Sequence, residues 1–363
     1  MRRPEVTGER PKGIGHRGKV RMLTALALLV AASLVAAVQS WSVQISGVTV
    51  TFRGVSAVDA QTAWVSGSRG TVLRTGDGGV TWANVSPAGA ETLDIRDVDA
   101  IDAQTAYALS IGNGDQSRIF KTTDAGKSWA TQFVSPDADA FFDAMAFWNA
   151  DRGLAFSDSA RGRHRILTTD DGGKTWVRLA PDQVPAALEN EGAFAASGTN
   201  VAVWGTQHAW IGTGAAATAR VLRTNDGGRT WAVSNTPLAA GPTSGIYSIA
   251  FRDALHGIVV GGDYSKEDDA INNVAVTSDG GVTWTLVLGL GGFRSVVTPL
   301  PGGTGRRWLA LGPSGADRTE DDGRTWTPVE VPVRGLHTFS LARAGVIGWA
   351  AGGRGQIAKW NAQ

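Results

Sequence analysis

The sequence predicts an all-β fold: a seven-bladed β-propeller of four-stranded antiparallel blades, with the last blade completed by strands from both ends of residues 41–363. Three observations predict it. A turn motif, Thr-x-Asp-x-Gly-x-(Thr/Ser)-Trp, recurs six times, and its aspartates (Asp77, Asp124, Asp171, Asp226, Asp279, Asp321) stand 47, 47, 55, 53 and 42 residues apart. Each motif sits between β-like runs, and two further runs precede it, which makes a unit of about 46 residues, the size of a propeller blade. The segment after the sixth motif, His337–Trp360, holds three such runs and then stops, while Trp41–Ile45 resembles the strand that follows each motif.

The N-terminal segment comes first. Residues 1–21 carry seven basic groups against two acidic ones, and residues 22–40 carry none. The apolar run Met22–Val38 then reads as an export signal with small residues for cleavage near Ala37 or Ser40; an uncleaved anchor is the alternative. Residues 1–40 are thus expected to be a signal peptide or signal anchor. Residues 41–363 are expected to be the propeller, placed in the periplasm or outside the cell.

Within each unit the innermost strand is read at Phe52–Val58, Ile95–Ile101, Phe142–Trp148, Tyr247–Phe251 and Phe339–Leu341. The next strand is read in Ala63–Gly67, Ala209–Gly212, Gly257–Gly261 and Gly348–Gly352. The motif is the following hairpin turn. Its glycines supply positive φ, its Asp accepts backbone N–H groups, its Thr hydroxyl adds a bond, and its Trp (Trp82, Trp129, Trp176, Trp231, Trp284, Trp326) buries a ring between blades. A residue repeated in every unit meets a need of the fold, so these aspartates are read as structural.

Composition narrows the chemistry. The chain has 48 glycines, 14 tryptophans and no cysteine, which excludes disulfides, thiolate metal sites and cysteine nucleophiles. Residues 41–363 hold 27 basic and 31 acidic groups, a net of −4, unlike a nucleic-acid binder. No serine-hydrolase elbow or dinucleotide fingerprint occurs. The five histidines lack metal-ligand spacing, and Lys266–Asp269 is read as a solvated loop. No metal and no cofactor is expected.

The six motifs are the Asp-box, or BNR, repeat, shared with sialidases and other propellers. Together with the segments AWVSGSRGTVLRTGDGGVTW and GWAAGGRGQIAKW, the chain resembles the photosystem II stability/assembly-factor-like propellers over nearly all of 41–363. The resemblance implies a non-enzymatic binding scaffold of WD40/YVTN/BNR-like architecture. Sialidase chemistry is not supported, since no Arg-Ile-Pro segment occurs and the tyrosines are only three.

The irregular connections Ser110–Arg118, Asp158–Arg165, Ala180–Gly192 and Gly262–Asn273 all fall at the end opposite the Asp-boxes, which marks that end as functional. Aligned units place Arg53, Arg96, Asp143, Tyr247 and Arg294 at one repeat position near the channel mouth. Asp158, Glu191, Asp263, Tyr264, His337 and Arg354 complete the candidate set. A protein or peptide partner is expected on a monomeric ring, with membrane contact only through the N-terminal segment. The alternative is glycan binding, or hydrolysis through a carboxylate pair such as Asp143 with Asp158 or Asp263.

Overall fold

The computed structural model describes residues 40–302, 305–343 and 345–361; all but Ser40 of the segment expected to be a signal peptide or anchor lies outside the described residues. Twenty-eight strands form seven four-stranded antiparallel sheets. β1 (Ser40–Ile45) leads into the first blade, β2 (Phe52–Ala57), β3 (Ala63–Gly67), β4 (Thr71–Thr75) and β5 (Ala83–Asn84). The second is β6 (Asp94–Ala100), β7 (Ala106–Ile111), β8 (Arg118–Thr122) and β9 (Ala130–Val134). The third is β10 (Phe142–Phe147), β11 (Gly153–Ala160), β12 (Arg163–Thr169) and β13 (Val177–Arg178). The fourth is β14 (Val201–Trp204), β15 (His208–Gly212), β16 (Arg220–Thr224) and β17 (Ala232–Asn235). The fifth is β18 (Ser244–Phe251), β19 (Gly257–Asp263), β20 (Val274–Thr277) and β21 (Thr285–Val287). The sixth is β22 (Val296–Leu300), β23 (Arg307–Gly312), β24 (Gly315–Thr319) and β25 (Thr327–Val329). The seventh is β26 (Leu336–Leu341), β27 (Ile347–Gly352) and β28 (Gln356–Asn361), and β1 is its outer strand.

The ring closes as the sequence predicts. β1 pairs antiparallel with β28, with Trp41 opposite Trp360. Each first strand packs against the first strand of the next blade, and β26 packs back on β2. Polar side chains fasten these inner strands together: Ser340 Oγ accepts from Ala57 N, Ser56 Oγ from Ala100 N, and Asp97 and Asp99 from Met145 N and Phe147 N. Apolar clusters fill the spaces between blades, and Trp64, Trp210, Trp308 and Trp349 on the second strands are fully buried there.

The Asp-box turns are built alike. In the first, Asp77 Oδ1 accepts Thr81 N at 2.9 Å, Oδ2 accepts the Thr81 hydroxyl at 2.6 Å, and Thr75 Oγ1 accepts Gly79 N at 2.8 Å. Asp124, Asp171, Asp226, Asp279 and Asp321 repeat this pattern. Hydrogen bonds from Thr81, Ser128 and Thr175 pull Asp77, Asp124 and Asp171 down to about 2, so these carboxylates are committed to holding their turns. The motif tryptophans stand one residue before the outer strands rather than within them, with Trp231 and Trp326 buried and the others half-buried.

Candidate functional site

Five inner strands share a defect. The β2–β3 register skips one residue between Phe52 and Gly54; the same skip occurs between Ile95 and Asp97, Phe142 and Ala144, Ile246 and Ser248, and Leu336 and Thr338. The skipped residues are Arg53, Arg96, Asp143, Tyr247 and His337. A β-bulge leaves one residue out of the ladder and re-aims its side chain. Here all five line one cavity of ≈490 Å³ at the end of the channel away from the Asp-boxes. Across the sheet from each bulge stands a glycine or serine: Gly67, Ser110, Ser157, Gly261 and Gly352. A Cβ at Gly261 would lie 1.8 Å from Gly245 O, and one at Gly352 would lie 2.0 Å from Gly335 O, so these two blades need glycine there, while Ser110 and Ser157 fit a Cβ at the matching positions.

The fourth blade lacks the bulge and contributes a plug instead. The segment 193–200 precedes the short β14 and crosses the channel. Arg96 donates to Ala195 O, Ala193 N donates to Asp158 Oδ1, and Ile249 N donates to Thr199 O. Ser197 Oγ donates to Ser295 O at 2.7 Å, and Thr338 Oγ1 donates to Ser197 O at 3.0 Å. The plug therefore bonds to the second, third, fifth, sixth and seventh blades and forms the cavity floor. Where the plug passes Asp97 the space admits only glycine: a Cβ at Gly198 would lie 2.2 Å from Asp97 Oδ1.

One wall of the cavity is aromatic. Phe194 of the plug stacks on Tyr247 at 4.0 Å between centroids, and Phe293 meets the same ring edge-on at 4.6 Å. The half-exposed Tyr264 closes this wall. Burial holds the Tyr247 phenol protonated, and its hydroxyl donates to Thr243 O.

The opposite wall is charged. Arg96 pairs with Asp94 at 2.9 Å. Arg53 makes no hydrogen bond or ion pair among the described residues, and its Nε is buried without a partner. Burial and the nearby Arg96 pull the Arg53 guanidinium down to about 10. Burial and both arginines push His337 down to about 3, so it is neutral, and its Nδ1 is also unpartnered. Asp143 is 1 % exposed. Burial and the adjacent Asp158 raise it well above the carboxylate range, and the two carboxyl groups share a hydrogen bond.

The remaining candidates lie elsewhere. Arg294 aligns with the bulge position, but β22 has no bulge. Its buried guanidinium turns to Asp317 at 2.6 Å and to the carbonyls of Gly291 and Phe293, away from the cavity. Glu191 is buried behind the plug. Although burial pushes it up, the nearby His164 at 3.3 Å and hydrogen bonds from Arg220 and Thr213 hold it at about 2, which fastens the 180–191 connection to β16. Asp263 caps the Ser265 turn in an exposed loop. Arg354 lines a neighbouring groove that shares Glu267, Pro313 and His337 with the cavity. The segment Asp158–Arg165 is a long hairpin rather than an irregular loop.

Asp143 with Asp158 is the carboxylate pair the sequence suggests, but its geometry does not suit glycoside hydrolysis. Groups within hydrogen-bond reach are closer than the ~5 Å of a retaining pair or the ~6.5 Å of an inverting one. Sequence reasoning did not reveal the plug or its Phe194.

The family model described as Photosynthesis system II assembly factor YCF48 matches residues 33–137. No curated protein matches the sequence. Among solved structures, YCF48 bound to D1 peptide is similar at 16 % identity, over 89 % of this chain and 97 % of that one, with a TM-score of 0.62. YCF48 from Cyanidioschyzon merolae is similar at 16 % identity, over 89 % and 99 %, with a TM-score of 0.57. A GH74 enzyme of Niastella koreensis is 15 % identical over 88 % of this chain and 53 % of its own, with a TM-score of 0.58. The chain is an Asp-box propeller that resembles the YCF48 family, and at these identities the solved structures establish the fold.

Proposed function

We propose that this chain is an exported, non-enzymatic binding propeller that captures a protein or peptide segment at the plugged cavity, with Arg53 and Arg96 receiving an acidic group. The observation that carries the reading is the set of five bulges aimed at one cavity, two of them arginines and one of these unpaired. An unpaired guanidinium in a partly dehydrated site gains a charge-assisted bond when a carboxylate arrives. A protein of the same fold, YCF48, has been solved with a peptide from D1, which supports a peptide partner. Export is proposed from the basic and apolar runs of residues 1–38.

The test is a peptide array probed with the purified chain and with an Arg53→Ala/Arg96→Ala variant. The wild type should retain peptides with Asp or Glu beside apolar residues, and the variant should lose them by tenfold or more, the order expected for charge-assisted bonds. Equal capture by both would overturn the reading. Arg294 is left unaltered, because removing it would strand the buried Asp317.

Glycan binding is the second reading, favoured by the Phe194–Tyr247 stack beside polar groups. A glycan array with no retained ligand would remove it.

A further inference from the structure

The plug carries one large side chain. Phe194 stands among alanine, serine, glycine, threonine and asparagine in 193–200. One face of its ring lies flat on Tyr247, with 5° between the planes. Its Cε2 edge fits over two glycines of the fourth and fifth blades, which bridge each other. A Cβ at Gly214 would lie 2.6 Å from that ring atom, and one at Gly245 would lie 3.2 Å from it. The ring is thus fixed by a stack on one face and a glycine-lined slot at one edge. Tyr247 and Phe293 are 2 % and 3 % exposed, whereas Phe194 is half-buried and borders the cavity. The accessible part of Phe194 therefore lies away from Tyr247, as apolar ring surface held open to the cavity.

The same stretch of plug anchors the cation. Arg96 Nη1 donates to Ala195 O at 3.2 Å, one residue from Phe194. Despite its pair with Asp94, the Arg96 side chain stays 31 % exposed. An accessible guanidinium and an accessible aromatic surface therefore meet at adjacent residues of one rigid segment. We infer that Phe194 is a specificity-determining residue: the site selects an acidic residue with an aromatic residue beside it, the carboxylate on Arg53 and Arg96 and the ring against Phe194. This rests on the anion-capture reading above and narrows its ligand. A ring that covers Phe194 removes apolar surface from water, and aromatic pairs gain beyond their buried area. A cationic side chain, which also favours ring faces, is opposed here by the two arginines.

Three capped dipeptides keep the aspartate and change its neighbour: acetyl-Asp-Phe-amide, acetyl-Asp-cyclohexylalanine-amide and acetyl-Asp-Ala-amide. Each is titrated by NMR into the purified full chain, in both residue orders, and the tighter order is compared. The phenylalanine peptide should bind about tenfold more tightly than the alanine one. It should bind about threefold more tightly than the cyclohexylalanine one, which matches its bulk but has no flat ring. Nuclear Overhauser contacts should run from the peptide ring to Phe194. Phe194→Leu, checked for folding by circular dichroism, should abolish the preference for phenylalanine over cyclohexylalanine while the alanine peptide stays within about twofold. Equal wild-type affinity for the three peptides, no binding, no contact with Phe194, or a preference that survives Phe194→Leu would overturn the inference. Methyl glucuronide, an acidic sugar, binding more tightly than the phenylalanine peptide would assign the ring surface to a glycan and overturn it as well. Arg53→Ala/Arg96→Ala should weaken all three peptides alike. If that variant loses nothing, the anion-capture reading fails; if it weakens three peptides that the wild type binds equally, that reading stands and the role of Phe194 falls.

Discussion

His337 lies near Arg53 and Arg96 and is uncharged at neutral pH. Its pKa is about 3 in the folded chain and near 6.5 when unfolded. The native state therefore binds fewer protons than the unfolded state between these values. The stability that follows is fully present above pH 6.5 and is lost as pH falls toward 3. Asp99, which burial raises to about 6, acts in the opposite direction and gains stability as pH falls from 6 to 4. Comparison with His337→Gln isolates the histidine. The wild type should lose melting temperature relative to the variant as pH drops from 7 to 4, and parallel curves would contradict the assignment. A ligand carboxylate on the arginines would raise the His337 pKa and so reduce this loss.

The bulge is the element that makes the site, and part of it was legible in the sequence. The repeat alignment found Arg53, Arg96, Asp143 and Tyr247 because an apolar residue precedes each one and packs between blades. It also included Arg294, since the sequence motif around Phe293 looks the same. Only the ladder distinguishes them: β22 pairs without a skip, and the arginine finds Asp317 on β24. The plug escaped notice because Gly192–Asn200 has no periodicity, and its bonds go to blades far away in sequence. The Asp-boxes were legible in full, since each is a local hydrogen-bonded turn. The small residue facing each bulge gives a direct test. Gly352→Ala should destabilise the seventh blade by about 1–3 kcal/mol through overpacking against Gly335 and should displace His337. An unchanged melting temperature would show that the strand can shift freely.

At the scale of the whole molecule, the plug divides the channel into two chambers. The cavity above holds the charged bulge residues, and a second one of ≈680 Å³ toward the Asp-box end is lined mainly by apolar ends of inner strands together with Arg252 and Arg343. A ligand at the cavity therefore meets a floor rather than a passage. The ring itself depends on β1 pairing with β28, which covers an edge that would otherwise invite aggregation. Deleting residues 41–48 should lower the melting temperature and expose Trp360; unchanged unfolding would contradict this closure. The same pairing places Ser40 beside Asn361, neighbours on adjacent strands about 5 Å apart. A linker of a few residues can join them, and the chain can be reopened at the exposed turn around Gly205. Such a circular permutant should fold to the same ring with its seam moved to the fourth blade. The order in which the blades are written in the chain is then separable from the order in which they stand around the axis.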